Sequence, residues 1–309
     1  MKRSVKIGLS LIVIGAVLAL IGFGFGGGSS SISWNNGPKV IDRKTQKERM
    51  VQHSYTYSEV KNIDVSTSLP VRIITGDVKK TTVKVMTYQK LPELSYQQSH
   101  LKITDKQANS ISQGNINIKF NITGFSWNYG NHGYQEGIVI TVPQSQSLSD
   151  IQIDGQNSSD VSLSDVKADK IAIQHVADTR LKNIIVQHDL TLDDIEDTDL
   201  NDVTTSTATI KSDNGDLSMH HNHINTGKIN TSYGDATLMN NQLSGQLTIT
   251  AQDGDISAMI GKSSVTAKTL DGDISAFNSH DDDQTSYTHK GTTGAYVIST
   301  DSGDVTIKQ

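Results

Sequence analysis

The chain has 309 residues, of which 35% are hydrophobic and 5% aromatic, and its net charge is −6. The length allows two domains, and the composition favours a core of aliphatic side chains. The negative charge argues against nucleic acid as a partner, because phosphate binding needs clustered Lys and Arg. The absence of cysteine excludes disulfides, Cys-ligated zinc, thiol catalysis and a lipid anchor on cysteine.

The N-terminal segment is apolar enough to cross a membrane. Residues 7–25 contain no charged side chain, and a helix of that length spans about 28 Å, close to the ~30 Å hydrocarbon core of a bilayer. Lys2, Arg3 and Lys6 precede it. We therefore expect residues 1–6 to stay in the cytoplasm, with the rest outside a bacterial cytoplasmic membrane.

The N-terminal segment has an alternative interpretation, and a linker follows it. In the alternative, residues 1–28 are a signal peptide that is cleaved off instead of a retained anchor, and in both cases the remainder of the chain is exported. Residues 26–52 begin GGGSSS and become polar. They are expected to form an extracytoplasmic linker that is flexible at first and then disordered or briefly helical.

A repeat of about 19 residues fills the second half of the chain. Its mark is an aspartate, which in five units follows a glycine. The five pairs are Gly215-Asp216, Gly234-Asp235, Gly254-Asp255, Gly272-Asp273 and Gly303-Asp304. Three further units, which lack the glycine, precede these in the chain and have their aspartates at Asp160, Asp178 and Asp197. Successive aspartates lie 18, 19, 19, 19, 20, 18 and 31 residues apart.

Each unit predicts a strand on either side of the turn, because apolar residues occupy alternate positions. Leu217 and Met219 illustrate the strand after the turn, and Ile171 and Ile173 the strand before it. One unit cannot bury its apolar face alone, so we expect the units to stack. The predicted fold class is all-β: a right-handed parallel β-helix, or β-solenoid, of about 19-residue rungs, preceded by one transmembrane helix.

Two other regions depart from the regular 19-residue pattern. Residues 53–150 are β-rich and are expected to form irregular opening rungs that lead into a regular β-solenoid over residues 151–309, with a separate β-sandwich as the alternative. The insertion Ser279–Gly291 accounts for the step of 31 and is expected to leave the coil as a loop. The final strand is expected to have a bare edge, open to pairing with another chain.

These features resemble a bacterial envelope family known as "putative adhesins", a domain of unknown function. The resemblance covers residues 55–309. It rests on the anchor, a strand ending at Val142-Pro143, the IQID strand at Ile151–Asp154, and repeated G-D-[ILV]-[ST] units. It implies a β-helix outside the cytoplasmic membrane, sometimes linked to envelope-stress systems, and it supplies no catalytic residues.

The stacked aspartates have two explanations. Closely spaced carboxylates repel one another, so a column of them could bind cations. Alternatively, glycine supplies the positive φ of a turn and aspartate caps its backbone, with no ion involved. The calcium-binding signature G-G-x-G-x-D is absent, which favours the second explanation.

The best metal candidates are two histidines. His221 and His223 are expected to share one face of an extended strand, with His220 facing away and His175 and His188 nearby on earlier rungs. A zinc site needs three or four ligands, and the sequence places no further ligand. An exposed polar segment is the simpler explanation, and no cofactor is expected.

Aromatic residues concentrate in one predicted loop over residues 120–135. Phe125, Trp127, Tyr129 and Tyr134 lie there among glycines and asparagines. Exposed rings stack on sugars and anchor protein interfaces. We consider both a contact surface and a cap folded over the end of the rod.

No catalytic motif is present: there is no G-x-S-x-G, no H-E-x-x-H and no phosphate loop. The leading hypothesis is a non-catalytic, membrane-anchored, adhesin-like or structural interaction module of the cell envelope, with a protein or cell-wall glycan as partner. The alternative is an accessory regulator that contacts a membrane sensor in an envelope-stress response. A surface carbohydrate-processing enzyme is a third and weaker hypothesis.

Overall fold

The computed structural model is all-β, and none of the residues it describes is helical, which confirms the fold class at this level. The predicted transmembrane helix at residues 7–25 lies outside the described residues, and within them no helix has the length and apolarity to cross a bilayer. The described residues are 30–34, 38–42, 50–88, 90–105, 116–121, 124–129, 136–156, 159–277 and 284–309.

The described part of the chain contains 25 strands. In chain order they are β1 Ser30–Trp34, β2 Pro38–Asp42, β3 Val51–Tyr57, β4 Asn62–Ser66, β5 Val71–Gly76, β6 Thr81–Thr87, β7 Glu93–Gln97, β8 His100–Thr104, β9 Ile116–Asn121, β10 Gly124–Tyr129, β11 Gly137–Pro143, β12 Leu148–Asp154, β13 Val161–Ser164, β14 Lys167–Asn214, β15 Leu217–His220, β16 His223–Tyr233, β17 Ala236–Met239, β18 Gln242–Leu243, β19 Gln246–Asp253, β20 Ile256–Met259, β21 Ser264–Asp271, β22 Ile274–Ala276, β23 Ser286–His289, β24 Ala295–Ser302 and β25 Val305–Lys308.

The alternation read from the sequence builds the core. In all eight units the first and third residues after the aspartate are buried, and so are alternate residues of the strand before the turn. The residues between them, such as Ser218 and Thr237, are half-exposed and face outward. Side chains of a strand alternate between its two faces, so each rung has one apolar interior face and one polar exterior face.

Neighbouring rungs pair in parallel and in register. Leu217 pairs with Thr198 on one side and with Ala236 on the other, an offset of 19 residues each way. In the strands before the turn, Ile229 pairs with Ile249. Equivalent side chains therefore lie above one another in columns, which makes the fold solenoid-like. The right-handed sense of coiling stays a prediction.

The longest strand, β14, contains more than one rung. Its successive parts pair with β12, then β13, then β15 and finally β16. A straight strand could not pair with all four, so β14 must turn at the corners of the coil while keeping strand pairing. This is why 48 residues carry a single strand assignment.

At the N-terminal end the rungs do not follow chain order. Strand β4 lies between β8 and β12, because Ile63 pairs with both Leu101 and Ile151. Strand β5 likewise lies between β11 and β13. The first rung in sequence is therefore enclosed by later ones, and β7, β6 and β3 add further strands outside it.

The C-terminal end repeats this interleaving. The C-terminal rung, which consists of β24 and β25, lies between the rung β19–β20 and the rung β21–β22. Val305 pairs with Ile256 on one side and Ile274 on the other. The expectation of a bare edge on the final strand is therefore wrong, because β25 is hydrogen-bonded along both edges.

The insertion that precedes the C-terminal rung is also only partly a loop. Within Ser279–Gly291, β23 pairs antiparallel with β21, and the backbone N–H of Ile274 donates to the carbonyl of Gln284 at 2.9 Å. The segment turns back and covers the exposed edge of the last rung in the stack. A strand edge needs such cover, because its unpaired N–H and C=O groups would otherwise recruit other chains.

The chain divides into two compact units, the larger of which holds the rungs. The described strands of the smaller unit include two antiparallel hairpins, β1–β2 and β9–β10. The expectation of a flexible or helical linker is therefore wrong where β1 and β2 pair, because SSISW alternates polar and apolar residues as a strand does and PKVID pairs with it. The larger unit comprises residues 52–85, 90–108 and 136–309, and the smaller comprises 1–51, 86–89 and 109–135.

The glycine of each turn is predicted to be essential for stacking. Gly234 has a φ of +125°, and a Cβ there would lie 2.1 Å from the carbonyl oxygen of Gly215. We expect Gly234→Ala to lower the free energy of unfolding by more than about 3 kcal/mol, because it combines backbone strain with a clash against a neighbouring rung. Urea unfolding measures the loss.

Gly261 is the matched control for this substitution. Its φ is +55°, but a Cβ there would meet nothing within 4 Å. Gly261→Ala should therefore cost only the left-handed backbone strain of about 1–2 kcal/mol. Equal losses at the two sites would contradict the argument from close approach of the rungs.

A second prediction concerns Tyr296, which is fully buried in the C-terminal rung and whose hydroxyl has no hydrogen-bond partner among the described residues. Tyr296→Phe should raise the free energy of unfolding by about 1 kcal/mol, because it removes an unsatisfied buried group. Burial raises the pKa of Tyr296 to about 12. The wild-type chain should thus lose stability as pH rises from about 10 to 12, and the variant should lose less.

The comparison with Tyr233 isolates this effect. Tyr233 is 52% exposed, so Tyr233→Phe should leave the unfolding midpoint unchanged at pH 7. Unfolding curves for both variants at several pH values provide the measurement. A destabilised Tyr296→Phe variant would mean that the hydroxyl has a stabilising partner.

Candidate functional site

Six of the eight turn aspartates form one continuous ladder of hydrogen bonds, which we call the aspartate ladder. In each of its five steps, the Oδ1 of one aspartate accepts the backbone N–H of the aspartate on the next rung, at 2.8–2.9 Å. In stack order its members are Asp197, Asp216, Asp235, Asp255, Asp304 and Asp273. Asp304 precedes Asp273 because the C-terminal rung is interleaved.

A second backbone bond accompanies each step of the ladder. The N–H of the residue after one aspartate donates to the carbonyl of the next aspartate, as from Leu217 to Asp235 at 2.9 Å. The carboxylate therefore replaces a backbone acceptor at a corner where the chain turns out of the sheet. A charged acceptor strengthens such a bond.

The glycines form a parallel column beside the aspartate ladder. Gly215, Gly234, Gly254, Gly272 and Gly303 have φ between +125° and +151°, and a Cβ on any of them would lie 2.1–2.4 Å from a backbone atom of a neighbouring rung. No side chain larger than the hydrogen of glycine fits there, and the two residues of the Gly-Asp pair therefore have separate roles. Glycine allows close approach, and aspartate bonds across the gap.

The aspartate ladder is therefore a structural device in which the carboxylate bonds across rungs rather than within its own turn. The members are solvent-exposed, apart from half-exposed Asp273. Among the described residues, no group of three or more His, Asp or Glu side chains is arranged to hold a metal ion. The cation hypothesis for this column stays a hypothesis.

The histidines predicted as metal candidates are not on one extended strand. His221 has a φ of +56° and lies in a turn between β15 and β16, so the expectation that it shares a strand face with His223 is wrong. Its Nε2 lies 3.5 Å from the Asn240 amide nitrogen. His220 instead approaches the Ser218 hydroxyl at 2.8 Å. His223 begins β16 and is exposed.

This second corner has its own ladder, which sequence reasoning missed. Asn222 and Asn241 are buried, and each donates its side-chain N–H to a carbonyl of a preceding rung at 3.0 Å. The Oδ1 of Asn241 accepts the N–H of Asn222 at 2.9 Å. A signal was available, because the two asparagines are 19 residues apart and each lies three residues after a buried apolar residue, Met219 or Leu238.

His175 lies at a different corner from His221 and is held between two carboxylates. Its Nδ1 is 3.2 Å from Asp154 and its Nε2 is 3.8 Å from Asp194. Burial alone would raise the pKa of Asp154, but hydrogen bonds from the Gln156 backbone, the Gln174 side chain and His175 lower it overall. The cluster joins polar side chains of three rungs at the surface of the coil.

The pKa of the turn aspartate Asp160 is raised, in contrast to that of Asp154. Burial is the main cause, repulsion from Asp178 on the next rung adds to it, and Arg180 acts in the opposite direction. Arg180 lies 3.3 Å from Asp178. This arrangement places a cation beside stacked carboxylates at the point where the column has no glycine.

The predicted aromatic loop is largely a hairpin. Phe125, Trp127 and Tyr129 lie on β10, which pairs antiparallel with β9, so the expectation of a loop is wrong for this stretch. Alternating residues such as FSWNY favour a strand, which explains the difference. Tyr134 lies outside the described residues. The cap and the contact surface both stay predictions for these four aromatic residues.

Other aromatic residues pack at both ends of the solenoid. At the N-terminal end the rings of Tyr57 and Tyr96 lie 5.0 Å apart. At the C-terminal end Phe277 lies 6.1 Å from Tyr287 and 5.1 Å from His289, in edge-on geometry. These rings pack against the apolar core where the stack ends. No pattern in the sequence indicates this packing, because these aromatic residues are scattered singly among polar ones.

The aspartate ladder generates a direct prediction. Asp235→Ala should lower the free energy of unfolding by about 1–2 kcal/mol, because the N–H of Asp255 loses its acceptor. Asp235→Asn keeps an oxygen acceptor and removes one charge from a column of carboxylates. It should lose less stability than Asp235→Ala, because it keeps an acceptor, and the weaker bond is offset at low ionic strength by reduced repulsion within the column.

Thermal unfolding of both variants, followed by circular dichroism with NaCl or CaCl2 at equal ionic strength, gives the readout. Equal losses for Ala and Asn would show that the acceptor is not what matters. A calcium-specific stabilisation that Asp235→Asn abolishes would favour the cation hypothesis instead.

No curated protein sequence matches the chain significantly. Similar solved structures include a "putative adhesin" from Bacteroides fragilis at 14% identity, covering 84% of this chain and 96% of that one with a TM-score of 0.40. A "putative lipid binding protein" from Parabacteroides distasonis has 12% identity, 84% and 97% coverage and a TM-score of 0.48. A "putative adhesin" from Parabacteroides merdae has 11% identity, 84% and 96% coverage and a TM-score of 0.42.

The assignment to a family rests on a separate match. The family model described as Toastrack DUF4097 matches residues 60–308, which include all the interleaved and regular rungs described above. The chain belongs to the Toastrack DUF4097 family.

Proposed function

We propose that the chain is a non-catalytic, membrane-anchored interaction module of the bacterial envelope, adhesin-like or structural in role. The observation that carries this proposal is the stack itself, in which every rung is tied to the next by side-chain and backbone hydrogen bonds. Such a stack presents fixed columns of outward side chains over many rungs. A repetitive rigid surface suits extended contact with a partner better than it suits the enclosed site of an enzyme.

The outer face of the strands after the turn supports this interpretation. Five adjacent rungs present a hydroxyl at the same position, and they pair in register. In stack order the column is Ser218, Thr237, Ser257, Thr306 and Ser275. Small half-exposed hydroxyls give a flat surface with many hydrogen-bonding groups and little side-chain entropy to lose. A protein surface or a cell-wall glycan fits that chemistry.

The negative charge of the repeat disfavours anionic partners. Residues 151–309 contain 24 acidic and 10 basic side chains, a net charge of −14. This surface disfavours nucleic acid and other anionic polymers, since it offers them repulsion instead of paired cations. Residues 1–6 contain 3 basic and no acidic side chains, which suits the cytoplasmic side of the membrane.

Placement in the membrane belongs to the same proposal. Residues 7–25 would cross the cytoplasmic membrane with the N-terminus inside, and the solenoid would lie outside. The accessory-regulator role is kept as the alternative because the same exposed columns could contact a membrane sensor. The enzyme hypothesis is the weakest of the three, because the sequence contains none of the catalytic motifs searched for.

The test is site-specific photo-cross-linking on intact cells. A photoreactive residue at Thr237 faces outward on β17, whereas one at Leu238 faces the core and serves as the matched control. We expect capture of an envelope protein or cell-wall glycan from Thr237 only. Because the chain has no cysteine, Thr237→Cys should also react with a membrane-impermeant maleimide on the same cells, and Ser4→Cys should not.

The outcomes separate the hypotheses. Capture of a sensor kinase would favour the regulatory role, and cleavage of a cell-wall glycan by the purified chain would favour the enzyme. Equal capture from Thr237 and Leu238, or maleimide labelling at Ser4→Cys alone, would overturn the proposal.

A further inference from the structure

The C-terminal rung occupies a slot between two rungs that resemble each other closely. The rung below it contains Gly254-Asp255 followed by ISA, and the rung above it contains Gly272-Asp273 followed by the same three residues. Val305 of the C-terminal rung pairs with the isoleucine of each. The two walls of the slot therefore present the same backbone register and the same apolar columns.

The slot selects its occupant by specific contacts. The backbone N–H of Asp304 donates to Asp255 at 2.8 Å, and the carboxylate of Asp304 accepts the N–H of Asp273 at 2.9 Å. Gly303 lies so close to its neighbours that a Cβ there would be 2.3 Å from the carbonyl oxygen of Gly254. An occupant must bring a Gly-Asp turn with alternating apolar residues on both sides.

The interior of the slot adds a requirement for size. Tyr296 fills the core between Leu247 and Val265, which pair with it from the two walls. It is fully buried and is the largest side chain among the fully buried residues. The only sequence in the described chain that combines this tyrosine with the required turn is the C-terminal rung itself.

We propose that the slot also accepts the C-terminal rung of a second copy of this chain, so that two copies exchange this rung. The exchanged rung would make the same hydrogen bonds and bury the same side chains as it does within one copy. Exchange therefore costs no contact inside the slot, which is the condition under which identical elements swap between protomers. The proposal goes beyond the proposed function and does not depend on it.

The chain has no cysteine, so engineered thiols report on the slot alone. Ser257 and Thr306 pair directly across its lower wall and face outward. Neighbouring strands lie about 4.8 Å apart, within the range that a disulfide spans. One copy would carry Ser257→Cys and a differently tagged full-length copy would carry Thr306→Cys.

The two copies are mixed, warmed below the unfolding midpoint to let the rung leave the slot, cooled and oxidised. We expect a disulfide-linked heterodimer that increases with protein concentration. The control pairs Thr306→Cys with Ser218→Cys, which lies two rungs further down the stack. This pair should give heterodimer only at the level of random collision.

A single copy with both Ser257→Cys and Thr306→Cys completes the test. It should form an intramolecular disulfide, which verifies that the rung occupies the slot. If it does so while the mixed copies give no more heterodimer than the control pair, the exchange proposal is overturned. Failure of the internal disulfide would overturn it as well, because the rung would then lie elsewhere.

Discussion

The hydrogen bond from a backbone N–H to the aspartate of the adjacent rung is the interaction on which the rest of the structure depends. A coil must leave its sheet at every corner, and there the backbone loses its regular partners. The carboxylate supplies an acceptor at the level of the next rung. The neighbouring glycine lets the two rungs approach closely enough for that bond to form. Together they turn a corner, where pairing normally fails, into a continuation of the ladder.

This constraint explains why the period of the repeat tolerates small changes. The steps from Asp235 to Asp255 and from Asp255 to Asp273 differ by two residues, yet both units place their aspartate in the same column. In the longer unit the extra residue lies between Leu243 and Leu247, where the offset to the preceding rung changes from 19 to 20 residues. The corner is fixed and the remainder adapts.

Much of the fold could be predicted from the sequence, because the periodicity of two within strands and of about 19 between units has a direct physical cause. Burial of Leu217, Ile256 and their equivalents followed from alternation alone. The order of the rungs could not be predicted. The rungs share one pattern, so the pattern does not specify which rungs are neighbours. In the structure residues 295–308 lie between residues 246–259 and residues 264–276, which are consecutive units in the sequence. Neighbouring units in sequence were therefore expected to be neighbours in space.

The candidate sites were less predictable for a related reason. A pattern of residue types does not report local backbone conformation, so the positive φ of His221 was hidden inside what looked like a strand. The buried pair Asn222 and Asn241 was overlooked because asparagine is usually a surface residue, and its role here arises only from stacking. The contact between His175 and two aspartates likewise joins residues from three rungs, and no local motif marks it.

The interleaving at both ends has a mechanical consequence. The rung β4–β5 and the rung β24–β25 are each bonded along both edges, so tension transmitted along the chain would load rows of parallel hydrogen bonds in shear. An edge strand, by contrast, peels away one bond at a time. A protein built in this way would resist being pulled apart from either direction, and the strands at the extremities of the stack would not be the first to bear the strain.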